Sequence, residues 1–222
     1  MERLREIDWM FNTDKASLCH DYMGKYERYL PFERNTEICI LEIGVLDGES
    51  LRMWRYWFPN AVLIGLDSNP KCNQYCDAWN ETYIYISDQT NAGMLEQIAG
   101  DWELNLIIDD GSHINDHQIT TFETLFPLMA SGGMYVIEDT HTSYWSEYGG
   151  GVGKPGTCVE YFKDLIDEVN FYGKLLTIPE ARGNTHYRRD DWMLKEFADK
   201  NWISKDILSI NFMNSLIFIQ KR

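Results

Sequence analysis

LNLIIDDGSHINDHQITTFETLFPLMASGGMYVIEDTHTSYW, residues 104–145, reads as strand, acidic loop, helix, double-glycine turn, strand and a second acidic loop. Leu104–Ile108 is a short apolar run, as expected of a strand buried on both faces of a parallel sheet. It runs into Asp109-Asp110-Gly111-Ser112-His113. Ile119, Phe122, Leu125, Phe126 and Met129 then recur at helical spacing, and Gly132-Gly133 stops that helix at about Ala130. Met134–Ile137 is the next strand and delivers Glu138-Asp139-Thr140. Two neighbouring parallel strands with acidic pairs at their C-terminal ends place those acids where open α/β sheets bind ligands. Asp110, Glu138 and Asp139 can converge there on one hard cation through oxygen ligands, leaving positions open for a substrate. Spacing alone does not decide which of the paired aspartates ligates, since Asp109 can equally cap the helix or meet a cofactor edge. His113, directly after the acidic loop, is placed to act as a base. His117, one helical turn on, reads as a polar helix residue or a supporting group; without HExxH a zinc site has little support.

The pattern repeats towards the N-terminus. Ile38–Ile43 is a buried strand that enters Glu42-Ile43-Gly44-Val45-Leu46-Asp47-Gly48 and then a helix over Leu51–Trp57. A strand, a glycine turn and a helix start make a cofactor cradle, because glycine permits close backbone approach and the first helical N–H groups are free. Ala61–Leu66 is a second strand and ends in Asp67-Ser68, about twenty residues beyond the glycine turn, where an acid can accept from ribose hydroxyls. Thr82–Ile86 is a third and ends in Ser87-Asp88-Gln89, which can line an adenine pocket. Acids at three strand ends suit ribose hydroxyls and a cationic cofactor, whereas they would repel a pyrophosphate. S-adenosylmethionine fits better than NAD.

The flanks are less specific. Met1–Phe11 is a possible short helix, and Asn12–Lys15 reads as the capped start of a helix running towards Leu30, rich in Tyr and His; together residues 1–35 form a helical cap. His141–Gly156 mixes aromatics with glycines, as a ligand-contacting loop does. A helix is expected over Cys158–Tyr172, an irregular insertion over Pro179–Asp191, and two closing strands over Ile203–Phe212 and Ser215–Gln220 with a turn at Met213-Asn214. The expected fold is a doubly wound α/β domain over 1–222, a mostly parallel seven-stranded sheet closed by an antiparallel hairpin. The net charge of −15 argues against nucleic acid or an anionic membrane as partner. Five scattered cysteines, a charged N-terminus and no apolar run of about 20 residues point to a cytoplasmic protein.

NTDK at 12–15 with His20 and Tyr22, LEIGVLDGES from Leu41, AVLIGLD ending at Asp67, SDQT at 87–90, IIDDGSHINDHQ, GGMYVIEDT and YGGG at 148–151 together resemble one family. It is the metal- and S-adenosylmethionine-dependent O-methyltransferases that act on sugars of natural products, such as the mycinamicin-type macrolide and noviose 4-O-methyltransferases. The resemblance implies a class I, Rossmann-like methyltransferase fold and an acceptor sugar with vicinal hydroxyls. It implies Mg²⁺ or Mn²⁺ on Asp110, Glu138 and Asp139, with His113 as general base. It also implies a cofactor held by Glu42, Gly44, Asp67, Ser68, Asp88, Gln89 and the Asp109 edge, and a homo-oligomer is conceivable. The rival readings are a metal-dependent hydrolase using the same acids, a relative of the cephalosporin-hydroxylase-like branch, and a non-catalytic sugar- or nucleotide-binding protein on this scaffold.

Overall fold

The computed structural model describes residues 3–169 and 206–222. Seven strands form one sheet: β1 (Cys39–Ile43), β2 (Val62–Asp67), β3 (Thr82–Ile86), β4 (Leu104–Asp109), β5 (Met134–Ile137), β6 (Ile207–Met213) and β7 (Leu216–Lys221). Their order is β3-β2-β1-β4-β5-β7-β6. The first five are parallel, and β7 runs antiparallel to β5 and to β6. This is the expected parallel sheet with a closing hairpin.

Alternate residues of each strand serve different cores, so the strands are apolar throughout. Leu41, Ile43, Ile64, Leu66, Ile107 and Ile137 face one cluster, completed by helices α3 (Ala92–Asp101), α4 (Asn115–Leu125) and α5 (Cys158–Val169). Ile40, Leu63, Leu106, Ile108, Val136 and Phe218 face the other, completed by α1 (Met23–Tyr29) and α2 (Glu49–Trp57). The chain order reverses between β1 and β4, where a parallel sheet opens a crevice beyond its strand ends. The register keeps those ends level, with Ile43 opposite both Leu66 and Asp109, and Asp109 opposite Ile137.

Several local expectations are corrected. Residues 12–15 do not begin a helix. The segment is bent by turns, Asp21 has φ 53°, and α1 starts only at Met23. The turn carries Lys15 inward to a fully buried position that a surface helix could not give it, so tertiary contacts override local propensity. Residues 4–10 form two short 3₁₀ turns rather than one helix. Helix α4 stops at Leu125, and a 3₁₀ turn holds Pro127, which has no N–H to continue the ladder. Helix α3 is unmarked in the sequence reading, because its two buried apolar residues, Leu95 and Ile98, give little periodicity. The hairpin turns at Asn214-Ser215, one residue later than expected. The expected insertion at 179–191, the end of the expected helix at 170–172 and the start of the strand at 203–205 lie outside the described residues. Among the described residues, no helix is long and apolar enough to cross a membrane.

Candidate active site

Two cavities open side by side along the strand ends. One, of about 200 Å³, is lined by Gly44, Asp67, Ser68, Ser87, Asp88, Gln89, Gly111, Ser112 and His117 among others. The other, of about 330 Å³, is lined by residues 12–15, by Gly44 to Asp47 and by Asp67, Asp110, Gly111 and His113. Gly44, Asp67 and Gly111 border both. The β1 and β4 crossovers meet there at van der Waals limit. Gly44 has φ +90°, and a Cβ on it would lie 2.1 Å from the Asp110 carbonyl oxygen. Only glycine fits at this point between the two cavities.

The first cavity is rimmed by carboxylates bound to backbone. Asp67 accepts from the N–H groups of Val45 (2.8 Å), Leu46 (3.1 Å) and Asn69 (2.8 Å). Burial works to raise the Asp67 carboxyl, but these N–H groups outweigh it and hold the group below the usual carboxylate range. Asp88 accepts from the Thr90 hydroxyl (2.6 Å) and N–H (2.8 Å), which lower it likewise. Ser68 also lines this cavity.

Three residues expected at the cofactor are placed differently. Gln89 lines the cavity, but its amide is engaged: Oε1 accepts from Ser112 N (2.7 Å), and Nε2 donates to Asp109 (3.2 Å) and Thr121 (3.3 Å). Asp109 is fully buried behind Gln89, within reach of the Tyr135 hydroxyl (3.4 Å), and burial pushes its carboxyl up to about 7. Glu42 is fully buried too. It accepts from the Ser50 hydroxyl (2.7 Å), its other oxygen has no hydrogen-bond partner, and burial raises it. Neither residue lines a cavity: Asp109 lies behind Gln89, and Glu42 meets Lys15 and Ser50, which line the second.

The second cavity ends in an acidic cluster. Asp110, His113 and Asp139 offer ligand atoms within 4.8 Å of one another. His113 Nε2 lies 3.6 Å from Asp139 Oδ2, and its Nδ1 is buried with no partner among the described residues. Both His113 (φ 57°) and Asp139 (φ 54°) sit in the left-handed region. Strained backbone of this kind persists only where the surroundings over-determine it, and it clusters at functional sites. Asp139 Oδ1 accepts from the Tyr22 hydroxyl at 2.5 Å and has His20 Nδ1 at 3.3 Å and His141 Nδ1 at 3.9 Å. His141 is itself hydrogen-bonded to Ser215 in the hairpin turn. Glu138 accepts from the Tyr26 hydroxyl. Burial raises Glu138 well above the usual range, reinforced by the nearby Asp110 charge; burial also raises Asp110, against the pull of Lys15.

Lys15 was not foreseen. Its ammonium is 2.5 Å from Asp110, 3.2 Å from Glu138 and 3.4 Å from Glu42, with its side chain 1% exposed. Burial alone would lower it, but the three carboxylates outweigh burial and raise it. Tyr22 and Tyr26 were not assigned roles either, although their spacing of four places both hydroxyls on one helical face. Tyr26 is fixed by edge contacts to Trp54 (5.1 Å) and Phe218 (5.4 Å). Glu42, Asp110, Glu138 and Asp139 against one lysine leave the cluster rich in anionic oxygen, a donor set that fits a hard divalent cation.

No family model matches the chain. It is 31% identical, over 98% of its length, to demethylmacrocin O-methyltransferase of Streptomyces fradiae, of which it covers 53%. It is 37% identical over 75% of its length to mycinamicin VI 2''-O-methyltransferase of Micromonospora griseorubida, covering 44% of that protein. Among solved structures, the MycE methyltransferase of the mycinamycin pathway in complex with Mg and SAH superposes with a TM-score of 0.80 at 30% identity. That superposition covers 99% of this chain and 54% of the other. MycE has also been solved with Mg, SAH and mycinamycin VI together. The chain spans about half the length of the curated relatives it matches.

Proposed function

The chain belongs to the sugar O-methyltransferases of macrolide and tetracenomycin biosynthesis, and from that premise we propose that it methylates a sugar hydroxyl. The methyl donor in this reading is S-adenosylmethionine. The acceptor is a vicinal diol on a natural product or glycan, and Mg²⁺ or Mn²⁺ assists. The observation that carries the proposal is the adjacency of the two cavities across Gly44, one rimmed by ionised acids and the other ending in the acidic cluster with His113.

The cofactor would lie along Gly44, Asp67, Ser68 and Asp88. Asp67 has about one lone-pair site left for a ribose hydroxyl after three backbone bonds. Gln89 and Asp109 would act from behind, fixing the Gly111-Ser112 backbone. Asp110, Glu138 and Asp139 would hold the cation, with Glu138 released from Lys15. When bound, the cofactor supplies a methyl group already activated on a sulfonium, and the cation supplies charge that makes a neighbouring hydroxyl more acidic. His113 Nε2 takes the hydroxyl proton, and Asp139 beside it stabilises the imidazolium that results. His113 would thereby leave the acceptor hydroxyl deprotonated beside the rim of Gly44, Asp67 and Asp88, which would hold the cofactor that supplies the methyl group. Tyr22 and His20 fix the other Asp139 oxygen, so the acid stays aimed at the histidine.

A single methyltransferase domain over 1–222, a cytoplasmic location and a homo-oligomeric assembly belong to the same reading. The test is calorimetric titration of S-adenosylmethionine into chelator-treated protein, repeated with Mg²⁺ and with Asp110→Ala. Cofactor binding in the wild type, with Mg²⁺ binding lost in the variant, is the expected result. Failure of the cofactor to bind under every condition would overturn the proposal.

A further inference from the structure

Lys15 comes from a turn outside the sheet, yet its ammonium is the most central cation of the acidic cluster. An unpaired buried ammonium is strongly unfavourable, so its position is held by the surrounding acids. Two of its three neighbours, Asp110 at 2.5 Å and Glu138 at 3.2 Å, are the groups to which the proposed function assigns the divalent cation. A dication and an ammonium cannot share those oxygens without strong repulsion at contact distance. The third neighbour differs. Glu42 Oε1, 3.4 Å from the ammonium, is buried with no hydrogen-bond partner, although the other Glu42 oxygen is satisfied by Ser50. The Oε1 contact with the ammonium is the longest of the three, so a closer approach by Lys15 would complete it. Lys15 and Ser50, the two groups that meet Glu42, both line the cavity of about 330 Å³, so the swing needed is short.

We propose that Lys15 is a resident cation that holds Asp110 and Glu138 together until the divalent cation displaces it onto Glu42. This rests on the cation site proposed above. In the metal-free protein the ammonium keeps like charges from forcing the strand ends apart. On cation binding it retreats by a small side-chain swing, satisfies Glu42 and leaves Asp110 and Glu138 to the metal. Lys15 is thus a positioning residue that tunes cation affinity, and Glu42 is its receiver.

Calorimetric titration of Mg²⁺ into chelator-treated wild type, Lys15→Met and Glu42→Gln tests this directly. Lys15→Met should bind Mg²⁺ about tenfold more tightly or better, because the competing charge is gone. Its melting temperature should fall in chelator and recover with Mg²⁺. Glu42→Gln, which touches no metal in this scheme, should bind several-fold more weakly. A merely structural lysine gives the opposite sign, since its loss would loosen the site and weaken binding. Unchanged or weaker Mg²⁺ affinity in Lys15→Met, with normal binding in the wild type, overturns the role of Lys15 and leaves the methyltransferase reading standing. Absence of Mg²⁺ binding to both proteins overturns both. If Lys15→Met does not fold, NMR of the Lys15 side chain in the wild type and in Glu42→Gln decides. The Lys15 side-chain resonances should shift on adding Mg²⁺ to the wild type and much less in Glu42→Gln, and an unchanged wild-type resonance overturns the displacement.

Discussion

At the cofactor end of the crevice, Asp67 and Asp88 accept hydrogen bonds from backbone N–H groups and a hydroxyl, and both carboxyls sit below their ordinary range. At the cation end, Glu42, Asp110 and Glu138 stand at the tips of neighbouring strands in the same sheet, yet burial and mutual repulsion push all three up. The residue types are alike, and the difference is in what surrounds the oxygens. Loop N–H groups solvate the first set as water would, so charge is held without any ligand. The second set lies under α1 and among like charges, with one lysine for compensation. A carboxylate surrounded by donors is a finished hydrogen-bonding surface, whereas a carboxylate starved of donors is a demand for a cation.

The sharpest way to break this contrast is to separate turnover from binding. His113→Ala should reduce kcat by roughly 10²–10⁴ while cofactor affinity stays near wild type, read by steady-state kinetics beside calorimetry. Asp67→Ala should do the reverse. Losing the carboxylate that would accept from a ribose hydroxyl, a charge-assisted bond of about 1.5–3 kcal/mol, should weaken S-adenosylmethionine binding about 10- to 100-fold, with kcat at saturating cofactor little changed. If both variants lose the same parameter, the two ends are not separate in function. Gly44→Ala tests the joint between them. A Cβ 2.1 Å from the Asp110 carbonyl, on a backbone at φ +90°, should lower stability by about 1–3 kcal/mol in urea titration and impair both readouts together.

The smallest effects concern protons. Asp109, pushed up to about 7 by burial, keeps its proton in the folded state over a range where the unfolded chain has lost it. Its contribution to stability is therefore complete below about pH 4 and is lost as pH rises through about 7. In chelator, urea midpoints should fall over that window with a slope of at most about 1.4 kcal/mol per pH unit from this group, and Asp109→Asn should flatten the slope. Tyr26→Phe, which leaves Glu138 with one donor fewer, should lower stability by about 1 kcal/mol and make that loss smaller when Mg²⁺ is present.

The sheet was legible because its parallel strands are largely apolar and because each runs into a recognisable acid or glycine. The order of strands follows from parallel crossovers, and the hairpin from two runs flanking a short turn. Asp110, His113 and Asp139 were readable as neighbours for the same reason: residues just past the ends of adjacent parallel strands must meet. Glu42 and Asp109 lie buried beside the cavities rather than in their linings. Spacing shows that a residue is near a strand end, but the alternation that turns it into the core depends on where the strand stops pairing. Lys15, Tyr22 and Tyr26 were legible only as a motif without a role. They reach the site from the far side of the sheet, across separations of 95, 117 and 112 residues to their partners, and no local pattern encodes such a meeting.

Ser215 lies in the turn of the last hairpin, where its backbone carbonyl accepts from Tyr22 and its hydroxyl pairs with His141, two of the residues gathered around Asp139. During synthesis the parallel strands and the cofactor rim can form early, but the acidic cluster lacks its lid until residue 215 has cleared the ribosome. Until then the carboxylates rely on partners from the N-terminal segment, Lys15, Tyr22 and Tyr26, and Asp139 lacks the brace that the hairpin turn gives to Tyr22 and His141.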